Sequence, residues 1–331
     1  MSNEIKVPGN GEVQLRINGV KVELDEIKAL LPTDIIRIEF HDNPGLRYRN
    51  AEVVLDYIVR RPETGGNFSV DMSQGVNALW GEHRVSGKIN HKKSEFGASY
   101  RIGPRDFYGM SRDNEEIFHL ADGTVLHRKE TGDPSHASMF MHNLNLNYSV
   151  QDPEKYLFNA TFRYWNNHQP HWDYRGILSN QDNPDDYVDM VDLNSSDNQV
   201  PALDLYYQRN LKNDQTLVFN VVGTYNRTSS HRFYQESRGE ELLTDINNRV
   251  SGKKYSLIGE AIYEKKLANG NSLSGGVWHT QSFSDNEYRN GHDYETHMDQ
   301  SASSIYGEFK GKVRKLDYRI GTFVLQTGGD G

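Results

Sequence analysis

Residues 140–165 read FMHNLNLNYSVQDPEKYLFNATFRYW. In the first half, Phe140, His142, Leu144, Leu146, Tyr148 and Val150 hold every second position, with Asn143, Asn145 and Asn147 between them. After a polar link at 151–154, Tyr156, Phe158, Ala160, Phe162 and Tyr164 alternate with Asn159, Thr161 and Arg163. Successive side chains of an extended strand point to opposite faces, so each half is a strand with one apolar and one polar face. The link makes the pair an antiparallel hairpin.

Working outward, the same alternation recurs at Leu217, Phe219, Val221, Gly223 and Tyr225, at Tyr255, Leu257, Gly259, Ala261 and Tyr263, and at Leu316, Tyr318, Ile320, Thr322 and Val324. It predicts about eleven strands, at 67–77, 83–92, 95–103, 139–150, 154–165, 201–211, 215–226, 253–266, 270–283, 302–311 and 315–327. Short connections at 151–154, 211–214, 267–270 and 311–315 alternate with long polar ones at 104–138, 166–200, 227–252 and 284–301. A β-sandwich has no reason to place every long connection at one end. An outer-membrane β-barrel does, because its periplasmic turns are short and its extracellular loops long.

The two faces agree with an antiparallel membrane barrel. Tyr148, Tyr156, Tyr164, Tyr225, Tyr255 and Tyr263 stand near strand ends on the apolar face, where an interfacial aromatic girdle belongs. The opposite face carries Arg163, Asp204, Glu260, Glu264, Glu308, Asp317 and Arg319. In a soluble extracellular β-sandwich binding module those charges would simply face water, and that reading stays open here, as does a passive outer-membrane barrel. Single-chain bacterial barrels have an even strand number, so eleven strands imply an incomplete barrel, and residues 67–331 are expected to be its N-terminal half. Alone, such a half leaves two unpaired edges, an aggregation hazard.

Composition bounds the rest. The 331 residues include 19 Tyr, 13 Phe and 4 Trp, too much aromatic surface for a disordered chain. No run approaches the roughly 18 apolar residues of a membrane-spanning helix. A net charge of −9 and the lack of a basic run exclude nucleic acid as an expected partner. With no Cys there is no disulfide, thiolate metal site or thiol nucleophile. The first residues carry no signal-peptide core, although an outer-membrane protein needs one.

Composition shifts at 62–66 (PETGG), taken as a boundary. Before it, 13–22 reads as two strands turning at Asn18-Gly19, 24–31 as a helix stopped by Pro32, and 34–40 and 53–60 as further strands. As an ordered set, Ile17-Asn18-Gly19, Asp34-Ile35, Arg37-Ile38-Glu39, Asn43-Pro44 and Tyr48 resemble the second half of the plug domain of TonB-dependent outer-membrane receptors, of the β-barrel type abundant in Bacteroidetes. The resemblance covers about 13–66 and makes residues 1–66 the C-terminal part of a plug. It implies a bacterial outer-membrane location and TonB-dependent uptake of a bulky ligand, such as an iron chelate, a cofactor or an oligosaccharide. The implied partners are outer-membrane lipid, a TonB-type energising complex and a surface lipoprotein. The first half of the plug and the TonB-coupling segment are not in these residues.

Candidate site residues follow from this frame. Arg37 and Glu39 fall on one strand face and could pair with lumen charges, the candidates being Arg163, Glu260, Glu264, Glu308 and Arg319. Trp165, His171, Trp172 and Tyr174 are the candidate ligand-contacting loop, since aromatics stack on sugars and aromatic chelates. His168-Gln169-Pro170-His171 and the histidines at 292–297 are read as loop residues with no metal, because Pro170 breaks helical spacing and no carboxylate pair stands beside them. Asp185, Asp186, Asp189, Asp192 and Asp197 make an acidic, mutually repelling loop whose spacing fits no calcium hand. No phosphate loop, nucleophile elbow or acid–base pair is present, so no enzyme and no cofactor are expected.

Overall fold

The computed structural model describes residues 12–22, 24–28, 30, 32–42, 51–60, 64–152, 154–180, 183–267, 270–313 and 316–330. They form two sheets. In the first, Glu12–Ile17 (β1) turns back into Val20–Lys21 (β2), followed by the helix Leu24–Lys28 (α1), a 3-10 turn at Pro32–Asp34, and the strands Ile35–Asp42 (β3) and Ala51–Val59 (β4). The sheet order is β2-β1-β4-β3, with β1 parallel to β4 and the other pairs antiparallel.

The β1–β2 turn shows why those residues stand there. Asn18 and Gly19 have φ of 49° and 84°, the left-handed pair that a two-residue hairpin turn requires. The Asn18 side chain accepts from the Val59 N–H at 3.0 Å and donates to its carbonyl at 3.3 Å. The Gly19 N–H donates to Asp56 Oδ1 at 3.0 Å, so the turn is tied to β4 from both residues. Ile17, Val20, Ala51, Val53 and Val54 of this sheet are buried.

The second sheet begins at Thr64, three residues before the expected strand. Its strands are Thr64–Gln74 (β5), Leu79–His91 (β6), Ser94–Met110 (β7), Asn114–His119 (β8), Val125–Asp133 (β9), Ser135–Asp152 (β10), Tyr156–Trp172 (β11), Tyr174–Asn180 (β12), Asn183–Leu211 (β13), Gln215–Arg238 (β14), Glu241–Lys266 (β15), Ser272–Arg289 (β16), Tyr294–Val313 (β17) and Leu316–Asp330 (β18). Eleven of them follow one antiparallel path, β18-β17-β16-β15-β14-β13-β11-β10-β7-β6-β5.

The long loops expected from the sequence are a correction. They are the upper arms of the same hairpins: β14 and β15 stay paired from Gln215↔Lys265 to Arg238↔Glu241. Polar composition signalled loops, but a hairpin arm with both faces in water is polar on both faces and loses its period of two. At 104–138 and 166–200 the arms continue as β8, β9 and β12. There β13 exchanges β11 for β12 as its neighbour, while β12 pairs β9 and β9 pairs β8.

Side chains sort by face through the registers Leu146↔Phe162↔Leu203↔Gly223↔Leu257. The apolar face is the exposed one: Phe68 is 71% exposed, Ile305 67% and Leu257 55%, with Leu203, Phe219, Val277, Ile320 and Val324 also open. On the opposite face Ser149, Leu157, Val218 and Ile262 are buried, Ser149 completely. Leaving these eight apolar side chains half exposed in water would forgo about 1 kcal/mol each. That is on the order of the whole net stability of a domain.

The apolar belt has a height. On β14 it runs from Leu217 to Tyr225, about 26 Å at the usual rise per strand residue. Above that level the same face carries Arg227, Ser229 and His231. Tyr225 stacks on Tyr255 at 4.7 Å across the register at the top, and Phe96, Tyr148 and Phe158 form a ring cluster at the bottom. The small sheet meets the polar face near the bottom. The Arg16 guanidinium lies 5.9 Å from the Tyr206 ring centre, and a Cβ at Gly19 would stand 3.6 Å from Leu157 Cδ2.

Gly19→Val should therefore cost about 1–2 kcal/mol, from the left-handed backbone rather than from crowding. Hydrogen exchange should show lost protection at the β1–β2 turn and at Val59, with the large sheet unchanged, while Asn18→Gly leaves the turn amides protected.

Candidate functional site

The polar face carries a dense charged cluster in its upper part, where β9, β12, β13 and β14 lie side by side. Arg112, between β7 and β8, donates from Nε to both oxygens of Glu130 at 2.9 and 3.0 Å, and its Nη2 lies 3.6 Å from Asp192 Oδ2. Arg232 grips Asp192 as a fork, at 2.9 and 3.2 Å. Arg128 donates to Glu236 and, at 3.3 Å, to the Tyr234 hydroxyl, which itself donates to Glu236. The Arg112 guanidinium covers the Tyr174 ring at 4.1 Å, and Trp172 Nε1 donates to the Tyr174 hydroxyl at 3.0 Å.

Three guanidinium groups balance three carboxylates, but their exposures differ. The carboxylate side chains are nearly closed off, with Asp192 4% exposed, whereas Arg112 keeps 36% and Arg232 49%. The cluster is neutral in sum and presents its exposed guanidinium N–H groups to whatever lies on the polar side. Bidentate guanidinium donors suit carboxylate or other planar anionic groups. Burial, then the bond to Glu236, pushes the Tyr234 hydroxyl up to about 12, so it stays a donor at any physiological pH. Burial alone would raise Glu236, but the bonds from Tyr234 and Arg128 outweigh it and hold the carboxyl below its ordinary 4.5.

Backbone packing makes room for this. Gly132 and Gly176 pair across β9 and β12 on the same face. A Cβ on Gly132 would meet the Arg112 carbonyl oxygen at 2.5 Å. The Gly132 N–H donates to Asp113 Oδ1 at 3.1 Å, locking the strand break that carries Arg112.

The expected site residues fall out as follows. Ile17, Asn18, Gly19, Asp34, Ile35, Arg37, Ile38 and Glu39 lie in the small sheet and its turns, while Asn43, Pro44 and Tyr48 lie outside the described residues. Arg37 donates to Glu39 at 2.6 Å, so these two are joined to each other rather than to a charge of the large sheet. Residues two apart on one strand face are nearer than any second sheet. Arg163, Glu260, Glu264, Glu308 and Arg319 share the polar face: Arg163 lies 4.0 Å from Asp204, Tyr306 donates to Glu260 at 2.8 Å, and Arg319 lies 3.3 Å from Glu308. The aromatic group separates. Trp172 and Tyr174 join the charged cluster, Trp165 lies about 20 Å lower along β11, and His171 is on the other face.

Two more readings are corrected. The acidic run is not a repelling loop, for Asp186 pairs with Arg238 at 2.6 Å, Asp192 with two arginines, and Asp197 with His168 at 3.1 Å. His171 does have carboxylate company, supplied by fold rather than sequence. His136, His171 and Asp173 stand together on the outward face, and among the described residues they are a group that could hold a metal ion. Sequence reasoning missed Arg112, Arg128, Glu130, Arg232, Tyr234, Glu236 and His136. The period of two in Arg232-x-Tyr234-x-Glu236 and Arg128-x-Glu130 was the available signal, hidden because both stretches were read as loops.

The holding effect of Glu236 between β9 and β14 is present above its ordinary value of 4.5 and lost as pH falls below it through the depressed value. Exchange protection of the β9 amides should drop over that acid window in the wild type, and Glu236→Gln should show the low protection already at pH 7.

No protein-family model and no curated protein sequence matches the chain. Among solved structures, the ferric yersiniabactin uptake receptor FyuA from Yersinia pestis is similar over 95% of this chain and 63% of its own, at 11% identity and a TM-score of 0.41. The chain thus spans less than two thirds of that receptor's length, and a likeness this distant carries no argument about activity.

Proposed function

We propose that the large sheet is part of the wall of a bacterial outer-membrane β-barrel, and that the protein serves TonB-dependent uptake of a bulky ligand. The observation that carries the wall is the inverted sorting of side chains: an apolar belt about 26 Å high is exposed, while Ser149, Leu157, Val218 and Ile262 of the opposite face are buried. Lipid is the solvent in which that arrangement is stable. In lipid every backbone group must be paired, so the edges β5 and β18, which do not pair with each other among the described residues, are closed by further strands.

On this reading the small sheet belongs to a plug, which the resemblance of its ordered motifs to receptor plugs supports. Its contacts with Leu157 and Tyr206 on the polar face support a position on the lumen side. The short turns face the periplasm and the hairpin arms face outside, with a surface lipoprotein as a candidate partner there. The charged cluster on the lumen side of the arms would receive the ligand, and its exposed guanidinium donors favour an anionic one, such as an acidic iron chelate. The work is binding and transport, with no bond made or broken.

The chain has no Cys, so single labels are clean. Nitroxides at Leu257→Cys and Val277→Cys, in the chain refolded into lipid vesicles, should be open to oxygen and closed to a water-soluble nickel chelate. Ser256→Cys and Trp278→Cys should show less of both, or the reverse preference. Equal water access at all four positions would sink the membrane wall. Uptake of the ligand by whole cells should stop with a protonophore; unchanged uptake would leave a passive barrel instead.

A further inference from the structure

We propose that His136, His171 and Asp173 form a binding site for a divalent transition-metal cation of the zinc class, on the outward face of the large sheet above its apolar belt. The three ligand atoms lie within 4.8 Å of one another, and His171 Nδ1 stands 3.5 Å from Asp173 Oδ2. Zinc–ligand bonds of about 2.0–2.1 Å in a tetrahedron put neighbouring ligand atoms about 3.3 Å apart. That pair is already at coordination spacing. The His136 ligand atom lies within 4.8 Å of both, so a small shift of its ring brings it to the same spacing.

The donor set selects the ion. Two imidazoles and one carboxylate, with no thiolate, suit zinc, cobalt, nickel or copper, whereas calcium and magnesium prefer oxygen alone. A fourth position is left for water or an outside ligand. The surroundings orient the ligands as metal-bound histidines require. Asp106 Oδ1 holds His136 Nε2 at 2.7 Å, which leaves the other ring nitrogen its lone pair, the carboxylate–histidine–metal arrangement. The Tyr108 ring stacks on His136 at 4.2 Å, and His136 on His171 at 4.5 Å, so neither imidazole rotates freely. Among the described residues, neither His168 with Asp197 nor His297 with Asp285 belongs to a group of three such ligands.

The ligands come from three places along the chain: the start of β10, the end of β11, and the residue between β11 and β12, with Asp106 behind them on β7. This is where the β10–β11 pair passes into the β9–β12 pair, marked by the Asp173 N–H donating to the His136 carbonyl at 3.0 Å. An ion here would staple the base of the outer arms. The site lies within one sheet, so it stands whether or not the transport reading does.

The test titrates Co2+ into the full chain in detergent micelles, with Zn2+ as competitor. One equivalent should give the intense visible absorption of four- or five-coordinate cobalt, and Zn2+ should abolish it. His136→Gln and His171→Gln should each remove the band. Asp106→Asn, in a positioning role, should keep the band and weaken binding about 10- to 100-fold. His297→Gln should change nothing. Only the weak absorption of six-coordinate cobalt in the wild type would overturn the proposal, as would a band that survives His171→Gln. Should a variant fail to fold by circular dichroism, the wild-type spectrum and stoichiometry decide alone.

Discussion

The large sheet depends on one constraint, the continuous antiparallel ladder that holds each strand in register with the next. Once Leu146 faces Phe162 and Phe162 faces Leu203, the pleat assigns every other side chain of three strands to one side. A slip of one residue at any link would send Phe158, Phe162 and their neighbours to the side that carries Arg163 and Asn159. The apolar belt is therefore not a local property of any strand. It exists because ten successive pairings keep the same phase, and it ends where the side chains on that face become polar, above Tyr225.

The charged cluster uses the same ladder differently. Arg232, Tyr234 and Glu236 sit at alternate positions of β14, and Asp192 and Met190 face them from β13. Buried carboxylates are costly unless several donors satisfy them. Asp192 has two guanidinium partners and the Asn194 amide at 2.9 Å, which is why it can be among the most buried charges of the described residues. The outcome is a rigid polar wall whose acids are sealed in and whose bases stay reachable. Such a wall recognises shape and charge without needing a flexible loop to fold over a ligand.

The small sheet is held by a different logic. A two-residue turn, an asparagine reaching Val59 and an aspartate capping Gly19 tie together a unit whose buried aliphatic side chains are Ile17, Val20, Ala51, Val53 and Val54. Buried Arg16 is bonded to Gln14 Oε1 at 2.8 Å while its guanidinium lies over the ring of Tyr206 of the large sheet. Contacts of this kind are weak singly, of order 1 kcal/mol. They orient the unit against the polar face without fusing it into the ladder.

Much of this was legible in the residues alone. Alternation at 140–165 and its recurrences dictated antiparallel strands and the identity of both faces, because a period of two has no other regular solution. Asn18-Gly19 dictated its turn, since few residue pairs accept two left-handed conformations in a row. What the tertiary structure alone decided is which polar residues meet. Arg112, Glu130 and Asp192 are far apart in sequence, and so are His136 and Asp173. They converge because β9 and β12 are inserted beside β13, and strand order is a property of pairing between distant segments. Arms solvated on both faces lose the apolar–polar alternation that betrays a strand, leaving only a period of two among charged residues such as Arg232-x-Tyr234-x-Glu236 as a sign. The charged wall and the outward histidine pair were built from those arms.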